Sequence, residues 1–104
     1  MTLTEFLAKT YQTGSFYHRP QIVCEDGFKM SVQGSDYNYS SPRRNSKLFE
    51  SMEIGYPSKK ENIIMQYAED EYHPTDTIYG WVPIEVIEKV IEKHGGISEK
   101  YTFI

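Results

Sequence analysis

The sequence has few of the residues that build covalent or metal-bound frameworks. It contains one cysteine among 104 residues, so neither an intramolecular disulfide nor a multi-cysteine zinc site can form. No apolar run approaches the roughly 18 residues that cross a membrane. The start of the chain also lacks the basic region and long apolar stretch of a signal peptide. We therefore expect a cytoplasmic protein that makes no membrane contact.

Positive charge is scarce as well. The 11 Lys and Arg residues are outnumbered by 15 Asp and Glu residues, which gives a net charge of −4. A chain with this balance has little affinity for duplex nucleic acid, so we expect no such partner. Walker-type and dinucleotide-type glycine patterns are missing, which argues against the common nucleotide-using enzymes. Nucleotide binding by other means stays open.

Aromatic residues, in contrast, are plentiful. They make up 14% of the chain and include nine tyrosines, a composition that argues against intrinsic disorder. The length is that of one domain spanning residues 1–104. Because the core of so short a chain is small, we expect a homo-oligomer.

The N-terminal segment predicts a helix that ends at Gly14. Thr2 and Glu5 have the spacing of a capping box, in which each side chain bonds the other residue's backbone amide. Four apolar side chains then recur with helical spacing, namely Leu3, Phe6, Leu7 and Tyr11.

Three segments predict β-structure. Residues 21–33 predict a β-hairpin around an Asp-Gly turn, because apolar and polar side chains alternate on its second half. Residues 49–56 are expected to pair with it as a third strand, with Met52, Ile54 and Tyr56 alternating. The β-branched and aromatic residues 77–82 predict a fourth strand.

Two further helices follow from capping and periodicity. Ser58 and Glu61 form a second capping-box pattern before a short apolar helix. Pro83 suits the first position of a helix that runs to His94, and the tail 97–104 predicts a short strand or a partner-docking segment. The fold class is therefore α+β, with an antiparallel sheet of three to four strands packed by about three helices in the order α-β-β-β-α-β-α.

The loop 34–46 carries the first candidate site. It holds two of the three arginines of the chain, and arginine forks match phosphate oxygens while tyrosine faces stack on bases. A loop of this length in a small domain is often functional, although a solvated polar loop is the simpler alternative. The predicted ligand-binding residues are Tyr37, Tyr39, Ser41, Arg43, Arg44 and Asn45, with Ser40 as a further hydrogen-bonding group.

The acidic loop 69–76 and the strand after it carry a second candidate site. Exposed Tyr and Trp residues are favoured anchors of protein interfaces, and clustered carboxylates can imitate a nucleic-acid backbone. The alternatives without a binding role are a solvated acidic loop and a core position for Trp81. For Trp81 we expect the core position. The predicted partner-binding residues are Glu69, Asp70, Glu71, Tyr79 and Trp81.

No catalytic constellation is marked by spacing. Cys24 precedes the hairpin turn and is expected to be a small buried side chain. His18, His73 and His94 are scattered, and no pair has the spacing of metal ligands on a helix. We expect neither a catalytic residue nor a metal nor a cofactor, and hence a protein that is not an enzyme. The alternative is a nucleotide hydrolase with His18 or His73 as its base.

Blocks along nearly the whole chain carry a resemblance. They read DGFKMSVQGS, YSSPR, MEIGYPSKKE, YAEDEYHPTDTIYGWVP and VIEKHGGI. In these blocks the sequence resembles small, mostly uncharacterised proteins that are encoded by phages and prophages of Firmicutes and other gut bacteria. Members of that group carry Cys-Pro-Arg where this chain has Ser41-Pro42-Arg43, so no thiol role is expected at that position.

The resemblance implies a role against host defence in the bacterial cytoplasm, as is common among small accessory phage proteins. One form of this role is a sponge that sequesters a phosphate-bearing nucleotide immune signal. The alternative is an anti-CRISPR-type inhibitor that binds a host defence protein through an acidic and aromatic surface.

Overall fold

The computed structural model describes residues 1–13 and 17–103. Its elements follow the chain in the order α1 (Leu3–Lys9), β1 (Ile22–Val23), β2 (Lys29–Gln33), β3 (Ser51–Gly55), a 3-10 helix (Asn62–Tyr67), β4 (Ile78–Pro83), α2 (Ile84–Lys93) and α3 (Glu99–Thr102). The strands form one sheet in the order β1-β2-β3-β4, and every neighbouring pair is antiparallel. The predicted α+β class with a four-stranded antiparallel sheet is confirmed. Within the described residues, no helix has the length and apolarity needed to span a membrane.

The core joins the sheet to α1 and α2. Leu3, Phe6 and Leu7 of α1 pack into the same buried cluster as the strand residues. The apolar stripe of α2 supplies Ile87, Val90 and Ile91 to that cluster, as its helical spacing predicts. Burial of these faces is the main force that holds the helices on the sheet.

The first helix has the predicted capping box. The Thr2 hydroxyl accepts from the Glu5 amide at 3.1 Å, and the Glu5 carboxylate accepts from the Thr2 amide at 3.2 Å. The helix ends at Lys9, earlier than predicted. There the Thr10 hydroxyl donates to the Phe6 carbonyl at 2.7 Å, which helps to close the last turn. Gly14, the predicted stop, lies outside the described residues.

The predicted hairpin is formed by β1 and β2. Ile22 pairs with Met30, and the Cys24 amide donates to the Phe28 carbonyl at 2.8 Å to close the turn. Gly27 has a φ of 93°, a left-handed conformation that glycine adopts without steric cost. The Asp-Gly pair therefore sets both the turn and the strand register.

The pairing of β3 with β4 contains a bulge. Met52 lies opposite Val82, whereas Ile54 lies opposite Tyr79. One residue of β3 is therefore matched by two residues of β4, so β4 carries one residue more than a regular ladder allows.

The bulge decides which way Trp81 points. In a regular strand, Tyr79 and Trp81 would share a face because they are two residues apart. Here Tyr79 and Val82 are both buried, while Trp81 has a φ of 49° and is 52% exposed. The prediction of a core position for Trp81 is therefore wrong, and so is the expectation that Tyr79 offers a surface.

The second predicted capping box does not form. The Ser58 hydroxyl accepts from the Lys29 amide at 2.9 Å, so it bonds to β2 rather than to a helix. Glu61 itself caps the next element by accepting from the Ile63 amide at 3.0 Å. That element is a 3-10 helix over Asn62–Tyr67.

The end of β3, the boundary between β4 and α2, and the C-terminal tail also differ from prediction. The third strand stops at Gly55, because Tyr56 has a φ of 48° and turns outward. Pro83 is the last residue of β4 rather than the first of α2. The tail forms the short helix α3, capped by the Ser98 hydroxyl, instead of a strand or a free docking segment.

Candidate functional site

The 34–46 loop is fastened to the sheet by Glu53 in the middle of β3. Its carboxylate accepts from the Asn38 side-chain amide at 3.1 Å and from the Tyr39 backbone amide at 2.9 Å. Further along, Ser41 and Ser51 form an isolated antiparallel bridge. The loop that carries the predicted ligand residues is therefore held against the sheet by hydrogen bonds to β3.

A stack of three side chains forms where this loop meets the bulge. The Trp81 amide donates to the Tyr39 carbonyl at 2.9 Å, and the two rings stack with centroids 4.7 Å apart and planes 23° apart. The Arg43 guanidinium carbon lies 5.4 Å from the Tyr39 ring centroid. We call this group the Arg43–Tyr39–Trp81 stack. Because Tyr39 is already engaged by both neighbours, Trp81 supplies the aromatic surface that remains open.

The stack borders a groove of about 350 Å³, which is within the size range of small-molecule sites. Its wall and floor are Tyr39, Tyr67, Glu69, Gly80 and Trp81. We call it the aromatic groove.

The far side of the aromatic groove is set by the segment after the 3-10 helix. Ala68 bridges Tyr79, and the Glu69 amide donates to the Ile78 carbonyl at 3.0 Å. This pairing places Tyr67 and Glu69 beside β4, opposite the 34–46 loop. Because Gly80 has no Cβ, Tyr39 can pack close to β4 on this side of the groove. A Cβ at this position would lie 3.3 Å from the Tyr39 Cβ.

The two predicted sites meet in this groove. Tyr39 comes from the predicted ligand loop, whereas Glu69 and Trp81 come from the predicted partner surface. They are distant in sequence and adjacent in space because both the loop and the 68–69 segment attach to β4. Arg43 does not line the groove but lies against the Tyr39 ring.

Other predicted ligand residues lie outside the groove. Ser41 and Arg44 line a neighbouring hollow of about 390 Å³, and Tyr37 is 62% exposed and lines neither space. The Asn45 side-chain amide donates to the Gln12 carbonyl, which ties the loop to the chain after α1. Only part of the predicted set is therefore brought together.

The predicted partner surface is also divided. Tyr79 is buried, and its hydroxyl donates to the Pro74 carbonyl at 2.6 Å. The hydrogen bond from His73, at 2.8 Å, and the bond from the Tyr72 amide hold the pKa of Asp70 below its ordinary value. Glu71 stays exposed beside them. Glu69 and Trp81 are the members of the set that face a common space.

The charged groups in and beside the groove have few partners within the protein. Within the described part of the chain, the guanidinium groups of Arg43 and Arg44 form no ion pair, and the Glu69 carboxylate forms neither an ion pair nor a hydrogen bond. The groove thus combines a half-exposed indole with a carboxylate acceptor, and Arg43 lies outside it against the Tyr39 ring.

A buried polar cluster elsewhere in the fold was missed by sequence reasoning. His94 Nδ1 lies 2.6 Å from an Asp26 carboxylate oxygen, and His94 Nε2 lies 2.7 Å from a Glu61 carboxylate oxygen. Lys93 Nζ donates to the other Glu61 oxygen at 3.0 Å, and the Phe28 ring stacks on the imidazole at 4.1 Å. We call this group the His94 cluster. No spacing signals it, because the partners of His94 are 68 and 33 residues away.

The carboxylates of the His94 cluster are kept ionised. Burial acts to raise the pKa of Glu61, but the Ile63 amide, His94 and Lys93 donate to it and hold the pKa below its ordinary value. The Phe28 amide and His94 likewise hold the pKa of Asp26 below its ordinary value. With both ring nitrogens bonded to carboxylates, the imidazole is a structural link between the hairpin turn, the 3-10 helix cap and α2.

The remaining candidates for chemistry lie outside the aromatic groove. Cys24 is buried, and burial beside Asp26 and Glu25 raises the pKa of its thiol to about 11. A thiol in such surroundings is a poor nucleophile. In residues 1–13 and 17–103, no three His, Cys, Asp or Glu side chains converge to hold a metal ion.

The candidate site rests on its own geometry. No protein-family model, curated protein or solved structure matches the chain. What the groove offers chemically is a surface for a flat aromatic ring and an acceptor for N–H groups, and Arg43 beside Tyr39 adds a cation outside the groove.

Proposed function

We propose that the protein binds a phosphate-bearing nucleotide in the aromatic groove and sequesters it. The observation that carries this proposal is the Arg43–Tyr39–Trp81 stack. It puts an exposed indole in the lining of a groove of about 350 Å³, and against the adjoining tyrosine it puts an arginine that forms no ion pair with the described residues. In this arrangement the base stacks on Trp81, and its phosphate extends past Tyr39 to Arg43.

The open face of Trp81 is the surface for the base. Stacking on an aromatic side chain contributes about 1–3 kcal/mol per base. The φ of 49° at Trp81 is uncommon for a residue other than glycine, and such conformations cluster at functional sites. The fold therefore holds the indole outward at a cost that core packing does not explain.

Arg43 is the first anchor for the phosphate. Its guanidinium lies over the Tyr39 ring and the residue is exposed, so its donors stay available to a ligand. A hydrogen bond to a charged group contributes about 1.5–3 kcal/mol. Arg44 lies on the neighbouring hollow and serves a second phosphate oxygen or a second phosphate.

The attachment of the loop supports tight binding. Ordering a loop on binding subtracts from the affinity. Glu53 and the Ser41–Ser51 bridge already hold the loop on β3, so this cost is small.

Capture without turnover is the form of binding that we propose. Among the described residues, the groove lining contains neither histidine nor cysteine, and His94 is buried with both ring nitrogens bonded. Together with the resemblance to phage proteins, this supports a counter-defence sponge that removes a nucleotide immune signal in the bacterial cytoplasm.

A fluorescence titration tests the proposal directly. Trp81 is the sole tryptophan of the chain, so its emission reports on the groove alone. We expect quenching by members of a panel of nucleoside monophosphates and their cyclic forms, with the nucleotide recovered chemically unchanged. If no member of the panel perturbs Trp81, the proposal is wrong, and a chemically altered nucleotide would indicate an enzyme instead.

A matched pair of variants tests the role of arginine. Arg43→Ala removes a phosphate anchor and is expected to weaken binding about tenfold or more, with an unchanged melting temperature. Lys60→Ala removes the same charge from an exposed position that does not line the groove, and it should bind as the parent does. Equal affinities of the two variants would contradict the assignment of Arg43.

A protein partner is the second candidate, favoured by the exposure of aromatic residues near the acidic loop. Tyr72 is 83% exposed and Trp81 is half exposed, and such side chains are frequent interface anchors. This candidate predicts a salt-sensitive complex with a host defence protein. Reversal of charge at Glu69, Asp70 and Glu71 should abolish it, and an unaffected complex would argue against this surface.

A further inference from the structure

The lining of the aromatic groove contains one charged side chain. Among the described residues that form it, three are aromatic, Gly80 has no side chain, and Glu69 alone carries a charge. A base that stacks on Trp81 enters this groove and so has a carboxylate within its surroundings. The hydrogen-bonding character of that carboxylate then decides which base fits.

Glu69 is fixed in place but not used by the protein. Its amide donates to the Ile78 carbonyl at 3.0 Å, and its neighbour Ala68 bridges Tyr79, so its backbone is part of the sheet edge. Its carboxylate makes no hydrogen bond or ion pair with any residue that the structure describes. The adjacent Asp70, in contrast, is engaged by its own loop through His73. Both acceptor oxygens of Glu69 are thus available to a ligand.

An ionised carboxylate accepts hydrogen bonds and donates none. Guanine presents two adjacent donors on one edge, the ring N1–H and the exocyclic amino group, and they match the two oxygens of a carboxylate. Adenine and cytosine place a ring acceptor beside their amino group, so one carboxylate oxygen would face a lone pair. Uracil offers one N–H between two carbonyl oxygens.

We infer that Glu69 makes the groove selective for guanine nucleotides. This inference rests on the proposed function and adds the class of base to it. Trp81 holds the base by its face, Glu69 accepts from its N1–H and amino groups, and Arg43 bonds the phosphate away from the carboxylate.

Titration of the intact protein with GMP, AMP and IMP, followed by Trp81 fluorescence and calorimetry, tests the inference. A bidentate contact to the correct base discriminates by 1–3 kcal/mol, so GMP is expected to bind about tenfold more tightly than AMP. IMP has the N1–H but lacks the amino group, and its affinity should lie between the two.

Two variants separate contact from charge. Glu69→Gln replaces one acceptor oxygen by an amide donor, and it should bring the affinities for GMP and AMP together. Glu71→Gln makes the same change at an exposed position two residues away that does not line the groove. It should keep the parental preference. Melting temperatures check that both variants fold as the parent does.

The outcomes distinguish this inference from the proposal beneath it. If AMP binds as tightly as GMP to the parent protein, the inference about Glu69 is overturned and nucleotide capture stands. The same holds if Glu71→Gln alters the preference as much as Glu69→Gln does, since the effect is then one of net charge. If neither nucleotide binds, both conclusions fail together.

Discussion

The aromatic groove and the His94 cluster are opposite uses of polar and aromatic side chains. In the His94 cluster, the polar atoms bond one another, with distances of 2.6 Å and 2.7 Å to the two imidazole nitrogens, and an aromatic ring covers the imidazole. In the groove, Trp81 is half exposed and the Glu69 carboxylate has no partner among the described residues. Beside the groove, the Arg43 guanidinium forms no ion pair with those residues either.

This difference separates polar residues that hold the fold together from polar residues that the fold leaves unbonded. Buried polar groups that satisfy one another fix a structure and resist change. Polar groups that are held in place yet unbonded have capacity for an external partner. Substitutions in the first region should therefore change stability, and substitutions in the second should change binding.

The largest effect is expected from His94→Ala. The variant leaves the Glu61 carboxylate buried beside a cavity and breaks the link to Asp26. Loss of one partner in a buried charged network costs about 3–5 kcal/mol of unfolding free energy, measurable by urea denaturation. His73→Ala is the control, because that histidine is exposed and its replacement should change the unfolding free energy little. Equal losses in the two variants would show that the His94 cluster is not special.

Acid should act on the same region. The pKa values of Glu61 and Asp26 are lowered in the folded state from ordinary values of 4.5 and 3.8. Their contribution to stability is therefore complete above those ordinary values and is lost as the pH falls through the folded-state pKa values. Urea midpoints measured over this acidic range should fall for the parent protein. The fall should be shallower for His94→Ala, and parallel curves would contradict the assignment.

Trp81 is expected to show the reverse pattern. Trp81→Ala removes the stacking surface and should weaken nucleotide binding by about 1–3 kcal/mol, as measured by calorimetry. Trp81→Gly should weaken binding equally but be more stable than Trp81→Ala by about 0.5–1 kcal/mol, because glycine accepts the φ of 49°. If the alanine variant were the more stable of the two, backbone strain at the bulge would be excluded.

The smallest effect is expected at Gly80. A methyl group there meets the Tyr39 Cβ at 3.3 Å, so Tyr39 must shift by a few tenths of an ångström. Gly80→Ala should weaken binding by a few-fold and leave the fold intact. Gly55→Ala is the matched control in the neighbouring strand, where the added Cβ meets only ordinary contacts at 3.6 Å. Calorimetry should show weaker nucleotide binding for Gly80→Ala than for Gly55→Ala. Equal affinities would show that Gly80 does not shape the groove.

Local signals in the sequence predicted the elements whose information is local. The Thr2–Glu5 capping box, the turn at Gly27 and the apolar stripe of α2 each depend on residues a few positions apart. The Ser58–Glu61 pattern has the same spacing as a capping box and failed, because Ser58 bonds to Lys29 instead. A local signal is therefore overridden when a distant strand offers a better partner.

The α+β class, the hairpin and the helix faces could be predicted from the sequence, because periodicity and turn chemistry act within a few residues. The composition of the aromatic groove, in contrast, depends on the tertiary fold. The extra residue in β4 turned Trp81 outward, and attachment to the same strand brought Tyr39 and Glu69 to one groove, with Arg43 against the Tyr39 ring. His94 met partners 68 and 33 residues away. Such contacts depend on strand register and on packing between distant segments, which no short-range spacing encodes.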